Sequence, residues 1–521
     1  MLQWYNDSMF IRKNKNRSGS VSVQIISKEQ GQYKTVESIG SGKTQEEVAK
    51  LYLKAQQVLH QKQSRNQQSL FVYPDELAIM DFVKNLSNRQ IHTIGPELVF
   101  GSIFDKIGFN AIKDELFRHV VIARLAYPTS KLKTVDYLER YKNILVSIDD
   151  VYRFLDKLKT TYKARVERIA YEHTKHTLKG NISVVFYDMT TLYFEAEDED
   201  DLRKIGFSKD GKFQKPQIML GLLVGEEGLP IGYDIFKGNT FEGHTLLPTL
   251  KKIQQKYGFS QPIVVADAAL LSKDNLKNLD KANYQFIIGA RIKNETEKIQ
   301  QKILIKARAM KNGDSFVINK KDHTRLIVTY SDKRAKKDEY NRERGIRKLR
   351  LRVKTGNLTK EHINNRGYNK FLTLTGEVVV AIDEDKIIED KQWDGLKGYI
   401  TNTRLRTKTI VANYGQLWQI EKAFRISKTD LRIRPIFHYR QRRIEAHICI
   451  AFVAYTIYKA LEQLFKKYNI DMSPKRASEL THNMYEVEFT LPKSQKKKKI
   501  ILKMDEEQKL LNDIIRKYSK S

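Results

Sequence analysis

Cysteine is almost absent from the chain, which has a single one, Cys449, among 521 residues. One thiol excludes an internal disulfide. Because Cys449 stands in the apolar run HICIAFVAYTIY, we interpret it as a small buried hydrophobic residue and not as a nucleophile. No spacing of Cys and His typical of a zinc site occurs either. The sequence therefore predicts neither a disulfide-stabilised fold nor a zinc enzyme.

Long hydrophobic runs are also lacking. The most apolar stretch is about a dozen residues long and is bounded by His447 and Lys459, which is too short to span a bilayer. The N-terminal segment MLQWYNDSMFIRKNKNR has no apolar core of the kind found in secretory signals. We therefore expect a cytoplasmic protein that does not enter a membrane.

Acidic residues are few relative to basic ones. The chain has 62 Asp and Glu against 94 Lys and Arg, a formal net charge of +32, while 40% hydrophobic content is compatible with sizeable cores. A charge of this size favours a polyanionic partner such as DNA or RNA over a small acidic substrate. A ribosomal or membrane-surface protein is the competing explanation.

The ends of the chain differ in pattern from its middle. Residues 1–63 predict a small antiparallel sheet and a helix with a basic cluster, which could bind DNA or be only a solvated charge run. Residues 64–178 are helical in pattern and suit DNA binding or dimerisation. Residues 466–521 are predicted as a polar tail with possible DNA or dimer contacts.

The middle of the chain predicts an α/β fold. In residues 179–292 three strands, a helix, a strand, a helix and a strand follow one another, which describes a mixed sheet of the ribonuclease-H type flanked by helices. Residues 395–465 return to this core. Between them, residues 293–394 form a basic insertion whose run SDKRAKKDEYNRERGIRKLRLRVK predicts a helix that contacts phosphates, or an exposed helix with internal ion pairs.

Two acids stand at the ends of apolar strands in the first part of this core. Asp188 follows NISVVFY and Asp267 follows QPIVVA, so each lies on or at the end of a predicted strand. A carboxylate in such a place is costly unless it is paired, hydrogen-bonded or bound to a cation. The order of the elements predicts that the two acids are neighbours in space.

A third acid lies in the stretch YGQLWQIEKAFRISK, which predicts one amphipathic helix. Tyr414, Glu421 and Lys428 are seven residues apart, so such a helix places them on one face, and Arg425 lies one turn beyond Glu421. A carboxylate beside a phenol and two cations suits a metal ion with an adjacent phosphate. The alternative is a surface Glu in ordinary helix salt bridges.

Three carboxylates can hold two divalent ions about 3.5 to 4 Å apart for phosphoryl transfer, and hard oxygen ligands favour Mg²⁺ or Mn²⁺. Three other residues have simpler predicted roles. Trp418 is predicted in the core, and His244 is predicted to cap a helix in preference to contacting DNA. Asp394, in WDG, is predicted in a turn and is the first alternative if one acid is misassigned.

The chain resembles the DDE transposases of bacterial insertion sequences, in the superfamily named after insertion sequence four. The hallmark of that superfamily is Tyr, two residues, Arg, three residues, Glu, six residues and Lys. Tyr414, Glu421 and Lys428 match it, while Leu417 occupies the Arg position. The stretches FYDMTTLYFE, GLPIGYDIFKGNTFEGHTLLPTL and IVVADAAL also resemble the family, so the likeness covers roughly residues 180–460.

The resemblance implies a ribonuclease-H-like core interrupted by a mostly β insertion. It implies Mg²⁺-dependent cleavage at terminal inverted repeats and transfer of the 3′-hydroxyl ends to target DNA, with Asp188, Asp267 and Glu421 as catalytic metal ligands. Tyr414 and Lys428 would then contact DNA near the cut.

Because Leu417 replaces the motif Arg, we hypothesise that Arg425 supplies part of the missing charge. The resemblance also implies a homodimer on paired DNA ends, near the bacterial nucleoid. Two alternatives stay open: a metal-dependent nuclease that cuts without joining, and a catalytically idle DNA-binding protein. The second is disfavoured because no acid of the triad is missing.

Overall fold

The computed structural model divides the chain into two compact units, Met1–Asn88 and Arg89–Ser521. The structure describes residues 9–29, 31–64, 79–80, 82–258, 261–270, 272–320, 322–355, 358, 362–364, 367–375, 379–491 and 496–520.

Over residues 9–64, as far as the structure describes them, the first unit is a three-stranded antiparallel sheet backed by a helix. Its elements are β1 (Met9–Lys15), β2 (Val21–Glu29), β3 (Gln32–Gly42) and α1 (Gln45–Ser64), with the strands in the order β1-β2-β3. The helix begins with a capping box: the backbone N–H of Glu47 donates to Thr44 Oγ1 at 3.3 Å, and the Glu47 carboxylate accepts from the Thr44 N–H at 3.2 Å.

The second unit begins with a short strand and a group of helices. Of the region 64–178 that is predicted as helical, residues 65–78 and 81 lie outside the described residues. The first elements of the unit are β4 (Ile91–Thr93), α2 (Ser102–Ile107), α3 (Glu115–Ala126), α4 (Lys131–Lys142), α5 (Ile148–Lys157) and α6 (Lys163–Thr177). Pro128 lies between α3 and α4, where the sequence predicts a break.

The centre of this unit is an eight-stranded mixed sheet, so the predicted mixed α/β class is confirmed. The first elements of this layer are β5 (Val184–Tyr193), β6 (Gln217–Val224), β7 (Pro230–Lys237), α7 (Leu246–Tyr257), β8 (Ile263–Ala266), α8 (Lys273–Lys281) and β9 (Phe286–Ala290). Strands β5, β8 and β9 are parallel to one another, while β6 pairs antiparallel with β5 and β7 pairs antiparallel with β6.

Alternate residues of β5 enter two different cores, because successive side chains of a strand point to opposite faces. Phe186 belongs to the large core that the helices around the sheet complete. Val185 and Tyr187 belong to a second core with Leu250 of α7. Asp188 has the same parity as Phe186, and so belongs to the large-core face of the strand.

The prediction of a mostly β insertion is wrong. The insertion contains α9 (Glu297–Ala307), β10 (Ser315–Asn319), β11 (Arg325–Tyr330), α10 (Asp332–Lys354), β12 (Leu372–Thr375), β13 (Val379–Ile382) and α11 (Glu384–Lys391). These helices have 11, 23 and 8 residues, whereas none of the strands in the described part of the insertion exceeds 6. The long stretch rich in Lys, Arg and Glu forms α10 because these residues favour helix.

Two strands of the insertion continue the core sheet. β11 pairs antiparallel with β14 (Leu396–Thr401), and β14 pairs antiparallel with β9, giving the order β10-β11-β14-β9-β8-β5-β6-β7. β12 and β13 form a separate hairpin. The insertion is therefore partly a structural extension of the core.

The single helix predicted around Glu421 is wrong. The stretch forms α12 (Thr407–Gly415), α13 (Trp418–Arg425) and a π-helical turn, Ile426–Asp430. Between α12 and α13 the Leu417 N–H donates to the Tyr414 carbonyl at 3.0 Å, which is the i to i+3 spacing of a tightened turn. The uniform 100° step on which one shared face depends therefore does not hold along the stretch.

Helix α14 (Gln441–Lys467) is the central core helix, and it is longer than its apolar run of about a dozen residues. It is the one helix in the described ranges that is long and apolar enough to cross a membrane, but 94% of its apolar window is buried inside the structure. Cys449 is fully buried, and burial raises the pKa of its thiol to about 12. The interpretation of this residue as a buried hydrophobic residue is confirmed.

The predicted polar tail is folded. It forms α15 (Pro474–Thr481), β15 (Tyr485–Thr490), β16 (Lys497–Ile501) and α16 (Glu506–Lys520). β15 pairs with β16 and with β4, and α16 buries Leu511 and Ile515 in the large core. Its apolar residues recur at helical spacing, which explains why so charged a segment still packs.

Candidate active site

Asp188 and Asp267 lie on adjacent parallel strands. Tyr187 of β5 is paired with Ala266 of β8, and each acid is the next residue along its strand. Residues in register on parallel strands point to the same side, so the two carboxylates are neighbours. Asp188 lies within β5, which continues to Tyr193, whereas Asp267 follows the end of β8.

Asp188 is a partly buried anion. Its Oδ1 accepts a hydrogen bond from the Met189 backbone N–H at 2.7 Å. Burial raises the pKa of Asp188 to about 6; Lys209 opposes this shift, and the negative charges of Glu242 and Asp267 add to it. The carboxylate therefore lies in a place where a cation would be stabilising.

Lys209 and Glu242 belong to the same group of charges, and neither is predicted as a site residue. The Lys209 ammonium donates to the Met189 carbonyl at 2.6 Å, lies 2.8 Å from Glu242 Oε1 and lies 3.8 Å from Asp188 Oδ1. The ammonium thus bridges two carboxylates. Both residues come from irregular segments with no periodic pattern, so only the folded chain reveals their proximity to Asp188.

Asp267 is exposed and is held by two hydrogen bonds. Its Oδ1 accepts from the Ala268 N–H at 2.6 Å and from the Tyr414 hydroxyl at 3.3 Å. Tyr414 is only 5% exposed, and burial raises its pKa, with Asp267 and Glu421 acting in the same direction, so the phenol stays a donor. A Cβ at Gly289 of β9 would lie 2.5 Å from this hydroxyl, so glycine leaves the room that Tyr414 needs.

Glu421 lies on α13 with its side chain exposed. Within the part of the chain that the structure describes, its carboxylate has neither a hydrogen bond nor an ion pair. The neighbouring Lys422 pairs instead with Glu462. The alternative of an ordinary helix salt bridge is therefore wrong, and Glu421 has free oxygens for another ligand.

Lys397 is a cation that the sequence reasoning missed. It lies on β14, and its ammonium is 4.4 Å from the centre of the Tyr414 ring. Burial lowers the pKa of Lys397, with Arg334 acting in the same direction, while Asp267 and Glu421 oppose the shift. Both acids thus act on the pKa of Lys397. In the sequence nothing distinguishes this lysine from others in a predicted strand.

The two cations of the predicted motif have different surroundings. Lys428 lies 3.2 Å from Asp210, and Arg434 lies 3.0 Å from the other oxygen of the same carboxylate. Burial lowers the pKa of Lys428, and Asp210 opposes this. Arg425 is exposed and, among the described residues, has no hydrogen bond or ion pair. Burial raises the pKa of Tyr458, and the positive charge of Arg425 acts against this larger effect.

Leu417, at the position of the motif Arg, is 8% exposed and packs in the large core. Trp418 is 50% exposed, so its prediction as a core residue is wrong. The cause is the tightened turn before α13, which directs Leu417 and Ile420 inward and leaves Trp418 outside. The sequence prediction assumed a uniform rotation of about 100° per residue, which the tightened turn interrupts.

Local structure decides two further predictions. His244 is exposed in a 3₁₀ turn beside Phe241, and the N-cap of α7 is Thr245, so His244 is not the cap. Asp394 lies in a turn, so that prediction is confirmed, and its carboxylate also accepts a hydrogen bond from Arg342 of α10 at 2.6 Å.

A cleft of about 860 Å³ opens beside Asp267, between the core sheet and the insertion. Asp267 and Tyr414 line one part of it. Its lining includes six cations, Arg291, Lys293, Arg334, Arg342, Lys370 and Lys397, and four acids, Asp267, Asp338, Asp390 and Asp394. Four of the cations form ion pairs with three of these acids, so that Arg291 and Lys397 are the lining cations without an acidic partner among the described residues. These two charges are available to an anionic ligand.

The donor set fits a hard divalent cation, although the side chains are not gathered around a single point. Among the described residues, no group of three or more His, Cys, Asp or Glu side chains is close enough to hold a metal ion. Asp188 and Asp267 are adjacent, and Glu421 has unpaired oxygens beside Tyr414 and Lys397. Carboxylate oxygens are the ligands that Mg²⁺ and Mn²⁺ prefer.

Comparison with solved structures finds distant similarities. A piggyBac transposase synaptic complex with hairpin DNA has a TM-score of 0.37 and 10% identity, covering 74% of this chain and 76% of that chain. The Mos1 transposase paired-end complex with the left transposon end has a TM-score of 0.15 and 14% identity, covering 30% and 53%. The Mos1 mariner paired-end complex with Mn has a TM-score of 0.14 and 15% identity, covering 30% of this chain and 54% of that chain. No conclusion about function rests on scores this low.

Comparison with curated proteins finds no match. Residues 179–457, more than half of the chain, match the model of the family described as Transposase DDE domain. The match spans the sheet with Asp188 and Asp267, the insertion, and the helix that carries Glu421. The chain therefore belongs to the transposase DDE domain family, whose members are metal-dependent enzymes that act on DNA.

Proposed function

We propose that the chain is the transposase of a bacterial insertion sequence, in the superfamily named after insertion sequence four. It binds the terminal inverted repeats of its element, cleaves the DNA ends and joins the 3′-hydroxyls to target DNA. The observation that carries this proposal is the register of β5 and β8, which sets Asp188 beside Asp267, at the edge of a cleft lined by six basic and four acidic side chains.

In this proposal the catalytic core is of the ribonuclease-H type, and Asp188, Asp267 and Glu421 hold the divalent ions, Mg²⁺ or Mn²⁺. When bound, such ions activate the attacking oxygen and stabilise the leaving oxygen of a phosphoryl displacement. Asp188, whose pKa burial raises to about 6, supplies a carboxylate with few competing hydrogen bonds. Glu421 supplies unpaired oxygens from a separate helix.

The remaining residues would position these acids and bind phosphate. Tyr414 orients Asp267 through its hydroxyl. Because the side chain is buried, it offers little surface for a contact with DNA. Lys397 is the cation that replaces the motif Arg most directly, because it lies near enough to Asp267 and Glu421 for both carboxylates to oppose the lowering of its pKa by burial. Arg425 and Lys428 remain proposed DNA contacts, and Lys428 must share its charge with Asp210.

The proposed partners follow from the charge and from the chemistry. A net charge of +32 favours DNA, both the element ends and the target. Joining two ends in one event requires two active sites, so we propose a homodimer in the bacterial cytoplasm, at the nucleoid. A related metal-dependent nuclease, which cuts without joining, is the second candidate because cleavage and joining use the same carboxylates.

The test is incubation of the full chain and Mg²⁺ with labelled DNA taken from the two flanks of its coding region. Wild type should give cut ends and products joined to target DNA, whereas Asp188→Asn, Asp267→Asn and Glu421→Gln should give neither. Asp385→Asn, which removes an exposed acid on α11, is the matched control and should behave as wild type. Equal cutting by all five proteins would refute the site, and cutting without joining would identify the nuclease.

A further inference from the structure

The sheet of the first unit has two faces of different chemistry. Alternate residues of the sheet face α1, and they form a small apolar core with residues of that helix. The sheet contributes Met9, Ile11, Val23, Ile25 and Ile39, and α1 contributes Leu51, Ala55 and Leu59. Glu37 of β3 also points to this side, because its carboxylate lies 2.9 Å from Lys62 of α1. The helix thus covers one face, and the acid of β3 lies on the covered side.

The residues between them form the opposite face. Its pairs across the strands are Phe10 with Ile26, Arg12 with Gln24, Asn14 with Ser22, Gln24 with Ser38, Ile26 with Thr35 and Lys28 with Tyr33. The contacts agree with this register, because Arg12 and Lys28 each lie 5.7 Å from the centre of the Tyr33 ring. Phe10 meets the same ring edge to face at 5.9 Å.

This face combines exposed rings and cations with the half-buried amides of Asn14 and Gln24, around Ile26, which is buried. Tyr33 is 58% exposed, and Arg12 and Lys28 have exposed side chains. Among the side chains of this face that the structure describes there is no Asp or Glu. Cations without any acid, set among amides that can both donate and accept hydrogen bonds, suit a polyanion with readable edges.

We propose that this face reads the sequence of duplex DNA by lying in the major groove, and in doing so selects the terminal repeats of the element. The identity of that DNA rests on the proposed function. Three strands about 4.8 Å apart occupy about 10 Å, which fits a groove about 12 Å wide. Residues two apart on a strand are separated by about 6.8 Å, close to two base-pair steps of about 3.4 Å.

The side chains divide into two roles by their chemistry. Arg12, Gln24 and Asn14 are the groups that recognise base edges, since Arg bonds guanine and Gln or Asn bonds adenine through paired hydrogen bonds. Lys28, and Arg17 in the turn after β1, suit phosphates at the borders of the groove. Duplex RNA is a poor partner because its major groove is too deep and narrow to admit a sheet.

The test measures binding of the full chain, without divalent ions, to duplexes from the flanks of its coding region and to scrambled duplexes of equal length. We expect Arg12→Ala and Gln24→Ala each to weaken binding to the end sequences about tenfold, with little change for scrambled DNA. Lys28→Ala should weaken both equally and lower the salt slope by about one. Lys54→Ala, on the exposed side of α1, removes a cation from the opposite face and should leave both affinities unchanged.

Each outcome decides one question. If wild type prefers the end sequences and cleaves them, but Arg12→Ala and Gln24→Ala bind with wild-type affinity and selectivity, the sheet proposal is wrong and the proposed function stands. Wild type that shows no preference for end DNA contradicts both. Stronger binding to single strands or to duplex RNA also overturns the sheet proposal. Thermal unfolding of each variant separates loss of contact from loss of fold, and Asn14→Ala provides a second substitution should Arg12→Ala unfold.

Discussion

The Tyr414 hydroxyl donates a hydrogen bond to the Asp267 carboxylate over 3.3 Å, and so connects the end of α12 to the end of β8. The bond fixes the direction of an acid that is otherwise exposed. A residue that the family motif places near DNA thereby acts, from inside the protein, on an acid that we propose as a metal ligand. Such outer contacts set ligand orientation.

We expect Tyr414→Phe to weaken the apparent affinity for Mg²⁺ by about tenfold, because it removes the donor to Asp267 and keeps the ring. The measurement is the Mg²⁺ concentration that gives half-maximal cleavage, supported by direct titration with Mn²⁺. Tyr458→Phe, which removes a phenol bound to Asp430 at 3.0 Å, is the control. An unchanged Mg²⁺ midpoint in Tyr414→Phe would contradict the positioning role.

Lys397→Met should lower the rate of end cleavage by about tenfold or more, because a charge-assisted contact to phosphate is lost while the side-chain stem is kept. The rate should be measured at saturating DNA and Mg²⁺. Arg425→Ala tests the other source of charge in the same assay. Wild-type cleavage by Arg425→Ala would eliminate the hypothesis that Arg425 replaces the motif Arg, and wild-type cleavage by Lys397→Met would eliminate Lys397.

Restoring the motif Arg should damage the protein. Leu417→Arg places a charge at a position that is 8% exposed and packed in the large core, so we expect the free energy of unfolding to fall by about 3 kcal/mol. Leu417→Met conserves volume and should cost less than about 1.5 kcal/mol. Denaturant unfolding of both variants provides the comparison. Faster cleavage by a stable Leu417→Arg protein would show that the position is open to Arg after all.

Lys209→Met should strengthen binding of Mn²⁺ by about fivefold, because the ammonium beside Asp188 and Glu242 repels an incoming cation by about 1 kcal/mol. Direct titration in the absence of DNA measures this without reference to catalysis. Lys212→Met, three residues further along the same segment, is the control. Weaker Mn²⁺ binding by Lys209→Met would mean instead that the ammonium holds Glu242 and the Met189 carbonyl in place.

Stability at low pH should depend on Glu167 of α6. Burial raises the pKa of this carboxyl, but Lys163, at 2.8 Å, and Lys256 more than offset it, so the pKa is lowered from 4.5. A lowered pKa gives stability that is present above about pH 4.5 and is lost as the pH falls through the folded-state value.

Glu167→Gln should therefore lower the free energy of unfolding at pH 7 by about 3 kcal/mol, since it leaves two ammonium groups without their partner. It should also reduce the loss of stability between neutral and acidic pH. Denaturant unfolding across that range measures both effects. Glu172→Gln, an exposed position on the same helix, is the control, and equal behaviour of the two variants would contradict the buried triad.

The sequence predicts the parts of the site that depend on local pattern. Asp188 and Asp267 are recognisable because each interrupts a continuous apolar run, and the order of strands and helices brings the two runs together. Lys397, Lys209 and Glu242 have no such pattern. Their proximity to the acids follows from strand register and loop paths, which involve residues far apart in sequence.

The same distinction explains the errors in the fold. β10 and β11 are predictable as strands, but the place of β11 beside β14 depends on pairing across the whole of α10 and α11. The break in the helix around Glu421 depends on one tightened turn at Leu417, whose packing in the core outweighs the regular helical spacing. The polar tail folds because a few apolar residues, such as Leu511 and Ile515, reach the large core.

The pairing of β11 with β14 limits how the cleft can change shape. Six residue pairs join these strands, and Lys397 lies on β14. A hinge rotation of the whole insertion as a rigid body would have to break this ladder, which is costly for buried backbone groups. Widening of the cleft for a duplex is therefore confined to the part of the insertion beyond β11, namely α10, the β12–β13 hairpin and α11.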